Sequence, residues 1–247
     1  MHPAIAVGMV IAIVVGGLGA YLVLRPHHRS THAATSAATG ASSSSTGATH
    51  ALDEGQIVQA LSWTSDDAPA GWSFSPSDTS AARPDDLSLP ACGADPSHAP
   101  PTAHDDAPAM TNGAFLAVQG VALQRTTETV ANDFNAASSG AMLDCIRGEI
   151  VDRLGPVLCS CTGITAEAVP LTPPGNAPAT TYAFRVAIAR YGYVGTQLDA
   201  YLIGDGRAEI TLLFVAQGSN FPSDVETTLV TTTLQRLHDN PTANKPT

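Results

Sequence analysis

The residues of this 247-residue chain best equipped for chemistry are a group of histidines and carboxylates and four cysteines. In the stretch SHAPPTAHDD, His98, His104, Asp105 and Asp106 supply the donor types of a cation site or an acid–base cluster. Neighbours in a Pro-rich loop do not converge in space by spacing alone, so the stretch reads as solvated loop and no metal ion is expected. His27, His28, His32 and His50 are scattered through a polar segment, where imidazoles stay hydrated. The chain holds no GxSxG elbow, HExxH pair, Walker loop or GxGxxG turn between strand and helix. No catalytic residue, cofactor or enzymatic activity is therefore expected.

Cys92, Cys145, Cys159 and Cys161 suggest two disulfides in an exported domain, with three possible connectivities. A bridge within Cys159-Ser160-Cys161 closes a very small, strained and easily reduced ring. A bridge from Cys92 to Cys145 closes about 50 residues, contributes about 4 kcal/mol in the chain-entropy model, and ties a long loop to a helix. It ranks first. As a metal site the close pair is two ligands short of closed zinc coordination.

Hydrophobic periodicity outlines the elements that position these residues. LDEGQIVQALSW, from Leu52 to Trp63, reads as a helix capped by Asp53, and Trp72 and Phe74 share one face of a first strand. From Pro76 to Asn112 no period is sustained, so the segment reads as a long excursion held by Cys92. Phe115 to Gln124 is a strand with Phe115, Ala117, Gln119 and Val121 on one face. Thr126 or Thr127 caps the next helix, which carries Val130, Phe134 and Ala137. Gly140 is a candidate break, after which Met142, Ile146, Ile150 and Leu154 continue to the stop Gly155-Pro156.

Tyr182, Phe184, Val186 and Ile188 alternate with Ala183, Arg185, Ala187 and Ala189 in a half-buried strand, and Thr196 to Ile203 returns beside it. Asp205-Gly206 is read as the centre of a type I′ turn into the central strand Ile210 to Val215. Ser223 and Glu226 fit a capping box for a last helix with a stripe of Val225, Leu229, Val230, Thr233, Leu234 and Leu237. The sum is an α+β domain: an antiparallel sheet of about five strands with helices packed on it, preceded by one transmembrane helix.

That helix is Ala4 to Leu24, 21 residues without a charge, enough to span about 30 Å of hydrocarbon. The run is longer than a signal peptide's apolar region, so it is expected to be retained. Arg25 and Arg29 follow it, which taken alone favours a cytoplasmic C-terminal part. The four cysteines, and the ability of long domains to translocate against flanking charge, favour export. The expected organisation is an anchor over 1–28, a disordered Ser/Thr/Ala/Gly linker over 29–51, an extracytoplasmic domain over 52–240, and a disordered tail over 241–247.

The formal net charge is minus 11, and because Arg25 and Arg29 lie outside the folded part, that part is near minus 13. Affinity for nucleic acid comes mainly from Lys and Arg on phosphates, so nucleic acid is excluded as a partner. Between Asp53 and Asp106 ten acidic residues face only Arg83; they keep the domain soluble or, bordering a groove, favour cationic groups. The single lysine, Lys245, and the abundance of Ala, Thr and Pro suit a GC-rich genome such as an actinobacterium's.

Anchor, low-complexity tether, Cys92 in a loop before the strand Phe115 to Gln124, a helix carrying Cys145, then strands and a last helix: this order resembles the extracellular sensor domain of actinobacterial PknH-type protein kinases and related secreted proteins. The likeness covers about residues 52–240. It implies a non-catalytic α+β domain with a cleft for a small envelope molecule, and a Cys92 to Cys145 bridge. The second bridge does not carry over, because that family has its other cysteines in the later strands and this chain has Cys159 and Cys161 before them. No kinase domain is expected within these 247 residues, so a signal would pass to a partner protein. The expected function is a membrane-anchored extracytoplasmic sensor or ligand-binding domain of the cell envelope. The alternative is an envelope assembly or secretion accessory protein acting through protein–protein contacts.

Non-reduced peptide mapping of the native protein is expected to join Cys92 to Cys145. Finding Cys145 joined to Cys159 or Cys161 would refute the pairing.

Overall fold

The computed structural model describes residues 53–75, 101–105, 108–148, 164–190 and 193–240. Helix α1 (Glu54–Leu61) is followed by a 3-10 turn (Ser65–Asp67) and the strands β1 (Ser73–Ser75), β2 (Ala103–Asp105), β3 (Ala109–Asn112) and β4 (Phe115–Leu123). Helix α2 (Thr127–Ala137) leads into a second helical stretch, α3, over residues 140–148. Then come β5 (Ile164–Leu171), β6 (Thr180–Arg190), β7 (Tyr193–Asp205), β8 (Ala208–Gln217) and the last helix α4 (Ser223–Asp239). The strands form one antiparallel sheet in the order β1-β3-β4-β8-β7-β6-β5, and β2 also pairs with β4. The architecture is α+β, with eight strands among the described residues where periodicity predicts about five.

Strand β8 lies at the centre and is buried from Ala208 to Ala216. On one face Ile210, Leu212 and Phe214 meet Ala117 and Val121 of β4, Ile203 of β7, Leu61 of α1, and Leu229, Val230 and Leu234 of α4. On the other, Leu213 and Val215 join Val118, Leu198, Ala200, Phe184 and Val186 beneath Ala137 of α2 and Met142 and Ile146 of α3. Burial on both faces explains the unbroken apolar run ITLLFV, since neither set of alternating side chains reaches water. Strand β6 alternates because Phe184, Val186 and Ile188 are buried while Arg185 and Ala187, on the opposite face, are only partly covered.

The capped helix predicted at the start is present: Asp53 accepts from the Gln56 amide at 2.8 Å, and the Gln56 side chain accepts from the Asp53 amide at 3.0 Å. The chain leaving α1 is stapled to the sheet by Gln119, which is wholly buried in β4. Its Nε2 donates to the Leu61 carbonyl at 3.2 Å and its Oε1 accepts from the Trp63 amide at 2.5 Å. The Trp63 indole donates to Thr233 Oγ1 of α4 at 3.0 Å, and Arg236 of α4 grips both Asp67 carboxylate oxygens at 2.7 and 2.8 Å and also reaches the Ser62 carbonyl.

Several local expectations are corrected. The stretch read as an excursion contains β2 and β3, separated near Pro108, whose carbonyl accepts from the Gln119 amide at 3.2 Å. Strand β5 was not anticipated at all. Thr126 is the cap of α2, and the break falls at Ser138 and Ser139, so that Gly140 already belongs to α3. The β7–β8 turn is centred on Gly206 and Arg207, one residue later than predicted, because Asp205 pairs with Ala208; Gly206 supplies the positive φ of 58°. Arg207 explains the shift: it is buried and donates to the Gln124 carbonyl at 2.7 Å, to Glu54 at 2.6 Å and to Thr102 at 2.9 Å. At α4, Pro222 takes the cap position and the Ser223/Glu226 box does not form, because the Glu226 side chain turns into the core.

No helix among the described residues is long and apolar enough to cross a membrane. Ala4 to Leu24, the linker and the tail lie outside the described residues, as do Ile150 and Leu154.

Replacing Gln119 by Leu keeps the volume but strands the Trp63 amide and Leu61 carbonyl inside the core. Urea unfolding is expected to show a loss of about 2–4 kcal/mol.

Candidate ligand-binding face

On the sheet face that α4 packs against, polar side chains gather on β6 and β7 beside the apolar cluster. On this face the register aligns Val169, Arg185 and Asp199 across β5, β6 and β7, with Glu167, Ala187 and Gln197 in the next row. Asp199 is completely buried, whereas the Arg185 side chain is 37% exposed. Arg185 Nε donates to Asp199 Oδ1 and one terminal nitrogen, Nη2, to Oδ2, both at 2.6 Å, and Gln197 Nε2 adds a third bond to Oδ2 at 3.2 Å. A bidentate pair of this kind fixes both position and plane of the guanidinium. The hydrogen bonds that Arg185 donates to Asp199 hold it above even its ordinary high range, so it is permanently charged.

One row further in, the Tyr201 hydroxyl donates to Glu226 Oε1 at 2.8 Å. Burial pushes the Tyr201 phenol well above its ordinary range, and the bond to Glu226 adds to the effect. Burial likewise raises the Glu226 carboxyl, with the nearby Asp199 charge acting in the same direction and Tyr201 and Arg185 opposing. Tyr201 packs edge-on against Phe214 with ring centroids 5.9 Å apart, and Phe214 in turn meets Phe221 at 5.1 Å. Trp72 and Phe115 extend this aromatic wall.

A β-bulge makes the ion pair possible. Counted outward from the Arg190–Tyr193 pair, Arg185 would face Leu198; the register slips by one between Ile188 and Ala189, and Asp199 comes opposite instead. The extra residue is Gly195, whose carbonyl accepts from the Gly218 amide at 3.0 Å. Since strand side chains alternate, this single slip exchanges an apolar residue for a carboxylate beside Arg185.

The residues singled out by sequence fare differently. His104 and Asp105 are successive residues of β2, paired with Ala122 and Val121, so their side chains leave on opposite faces and do not form one cluster. His98 and Asp106 lie outside the described residues. No group of three or more His, Cys, Asp or Glu able to hold a metal occurs among the described residues. Cys145, on α3, packs against the second core and is disulfide-bonded; Cys92, Cys159 and Cys161 lie outside the described residues. Asp199, Gln197 and Tyr201 carry no expectation of their own in the sequence, and Arg185 and Glu226 are read there only as a strand position and a helix cap, not as site residues. The available signal was an Arg and an Asp within two otherwise apolar neighbouring strands.

No family model matches the sequence, and no curated protein sequence matches it. Among solved structures, the fold is similar to the crystal structure of the extracellular domain of PknH from Mycobacterium tuberculosis: 10% identity, covering 77% of this chain and 99% of that one, with a TM-score of 0.45. This is a weak likeness at the level of the fold.

A carboxyl whose folded-state value is raised favours folding while protonated and loses that contribution as pH rises through the raised value. Glu226→Gln keeps an acceptor for Tyr201 and removes the charge. Its melting temperature is therefore expected to exceed that of the wild type at pH 7–8, and the advantage to vanish as pH falls below the ordinary carboxylate value of 4.5. Equal melting temperatures across that range would contradict the assignment.

Proposed function

We propose that the chain is a membrane-anchored, extracytoplasmic, non-catalytic ligand-binding or sensor module of the bacterial cell envelope, with the exposed face of β5 and the partly exposed face of β6, beside the buried Asp199 and Gln197 of β7, as its binding surface. The observation that carries this reading is the buried Asp199 holding the partly exposed Arg185 in a fixed plane at the margin of the core. The anchoring part rests on the uncharged run Ala4 to Leu24, and the extracytoplasmic part on that run together with the disulfide at Cys145.

The cluster suits binding better than turnover. The Tyr201 phenol holds its proton too tightly to serve as a base, and Asp199 is occupied by three hydrogen bonds. A second reading, docking to an envelope protein, is favoured by Tyr193 and Val194 at the start of β7, which are 81% and 53% exposed.

Two measurements test the proposal. A reporter that is active only after export, fused at residue 247, is expected to be active; activity from a cytoplasm-only reporter would refute the topology. A small-molecule extract of the cell envelope is expected to raise the melting temperature of the full chain in detergent, and Ala187→Leu, which fills the open floor, is expected to abolish the rise. An extract that stabilises neither protein, or both alike, removes this face as the binding surface.

A further inference from the structure

We infer that the outer edge of the Arg185 guanidinium receives the carboxylate of a small, singly anionic ligand on the open sheet face. This rests on the reading of that face as the binding surface and adds the chemical class. Asp199 occupies Nε and Nη2, leaving Nη1 with no hydrogen-bond partner among the described residues. A guanidinium carries five donors in a rigid fork, so a second planar acceptor can approach on the side away from Asp199. The pair is asymmetric: the acid is sealed in the protein while the base reaches water. Holding an ion pair together does not require that exposure, whereas presenting donors to a ligand does.

The neighbouring groups define the class. Ala187, itself only partly covered, puts no more than a methyl between the exposed Glu167 and the buried Gln197 in the row next to Arg185. Asp199 cancels one unit of charge on Arg185, and Glu167 adds an exposed negative charge one row away. A dianion such as phosphate therefore meets repulsion that a single carboxylate experiences less strongly, and an ammonium elsewhere on the ligand would be drawn to Glu167.

The test uses the full chain in detergent, with unfolding followed by Trp63 and Trp72 fluorescence and ionic strength held with sodium chloride. Sodium acetate is expected to raise the melting temperature saturably, by about 3 °C at ten times its dissociation constant. Ala187→Leu, which leaves the ion pair intact, is expected to lose the rise. Arg185→Lys, which keeps a cation for Asp199 but lacks the fork, is expected to weaken the half-saturating concentration at least several-fold. Acetate acting equally on wild type and Ala187→Leu would overturn the inference. So would methylammonium chloride in place of acetate stabilising the wild type alone, although the face would then remain a binding surface. Absence of any difference with either probe also overturns it, and the extract experiment then decides the face independently.

Discussion

The organising constraint is that β8 is covered on both faces. A strand in that position has no route to water for a side chain, and the strands beside it inherit the restriction. Every polar group near the centre must then be satisfied internally, because an unpaired buried donor or acceptor costs about 1–3 kcal/mol. Gln119 meets the demand by joining two backbone groups of the segment after α1. Tyr201 and Glu226 meet it with each other across the sheet–helix interface. Asp199 meets it with Gln197 and by drawing Arg185 inward from a strand whose face is partly exposed.

That last pairing links architecture to chemistry. The ion pair lies at the boundary between dry core and water, its acid sealed and its base partly exposed. Its buried half fixes geometry and its exposed half offers donors. The bulge at Gly195 brings the two halves opposite one another, so a backbone irregularity decides which side chain the arginine meets.

The sequence made the strongly periodic elements legible. Strands β4, β6, β7 and β8 and helices α1, α2 and α4 stand close to where alternation or helical spacing puts them, because each buries a complete face. The missed strands lack that signal. β2 and β3 are three and four residues long, and β5, at the end of the described sheet order, is partly or wholly exposed along Thr165 to Leu171 and contains Pro170. The local motifs that misled were overridden by tertiary partners. Arg207 found acceptors in three other segments and moved the turn, and Glu226 found Tyr201 and abandoned the cap. The candidate site was hidden for a related reason: Arg185 and Asp199 are 14 residues apart, and nothing local announces the bulge that pairs them.

The ties between the two ends of the domain also set an order of events. Glu54 meets Arg207 across 153 residues, Trp63 meets Thr233 across 170, and the Ser62 carbonyl meets Arg236 across 174. The first helix of the described domain is therefore among the last to be secured. Contacts of such long sequence separation must meet the entropy of loop closure before they return any stability, which places this topology among slow folders. Until α4 arrives, the apolar side of α1 has no lid and the staple at Gln119 closes over an unfinished core. During that interval the chain is open to aggregation and proteolysis, and it is also loose enough to be threaded through a narrow pore.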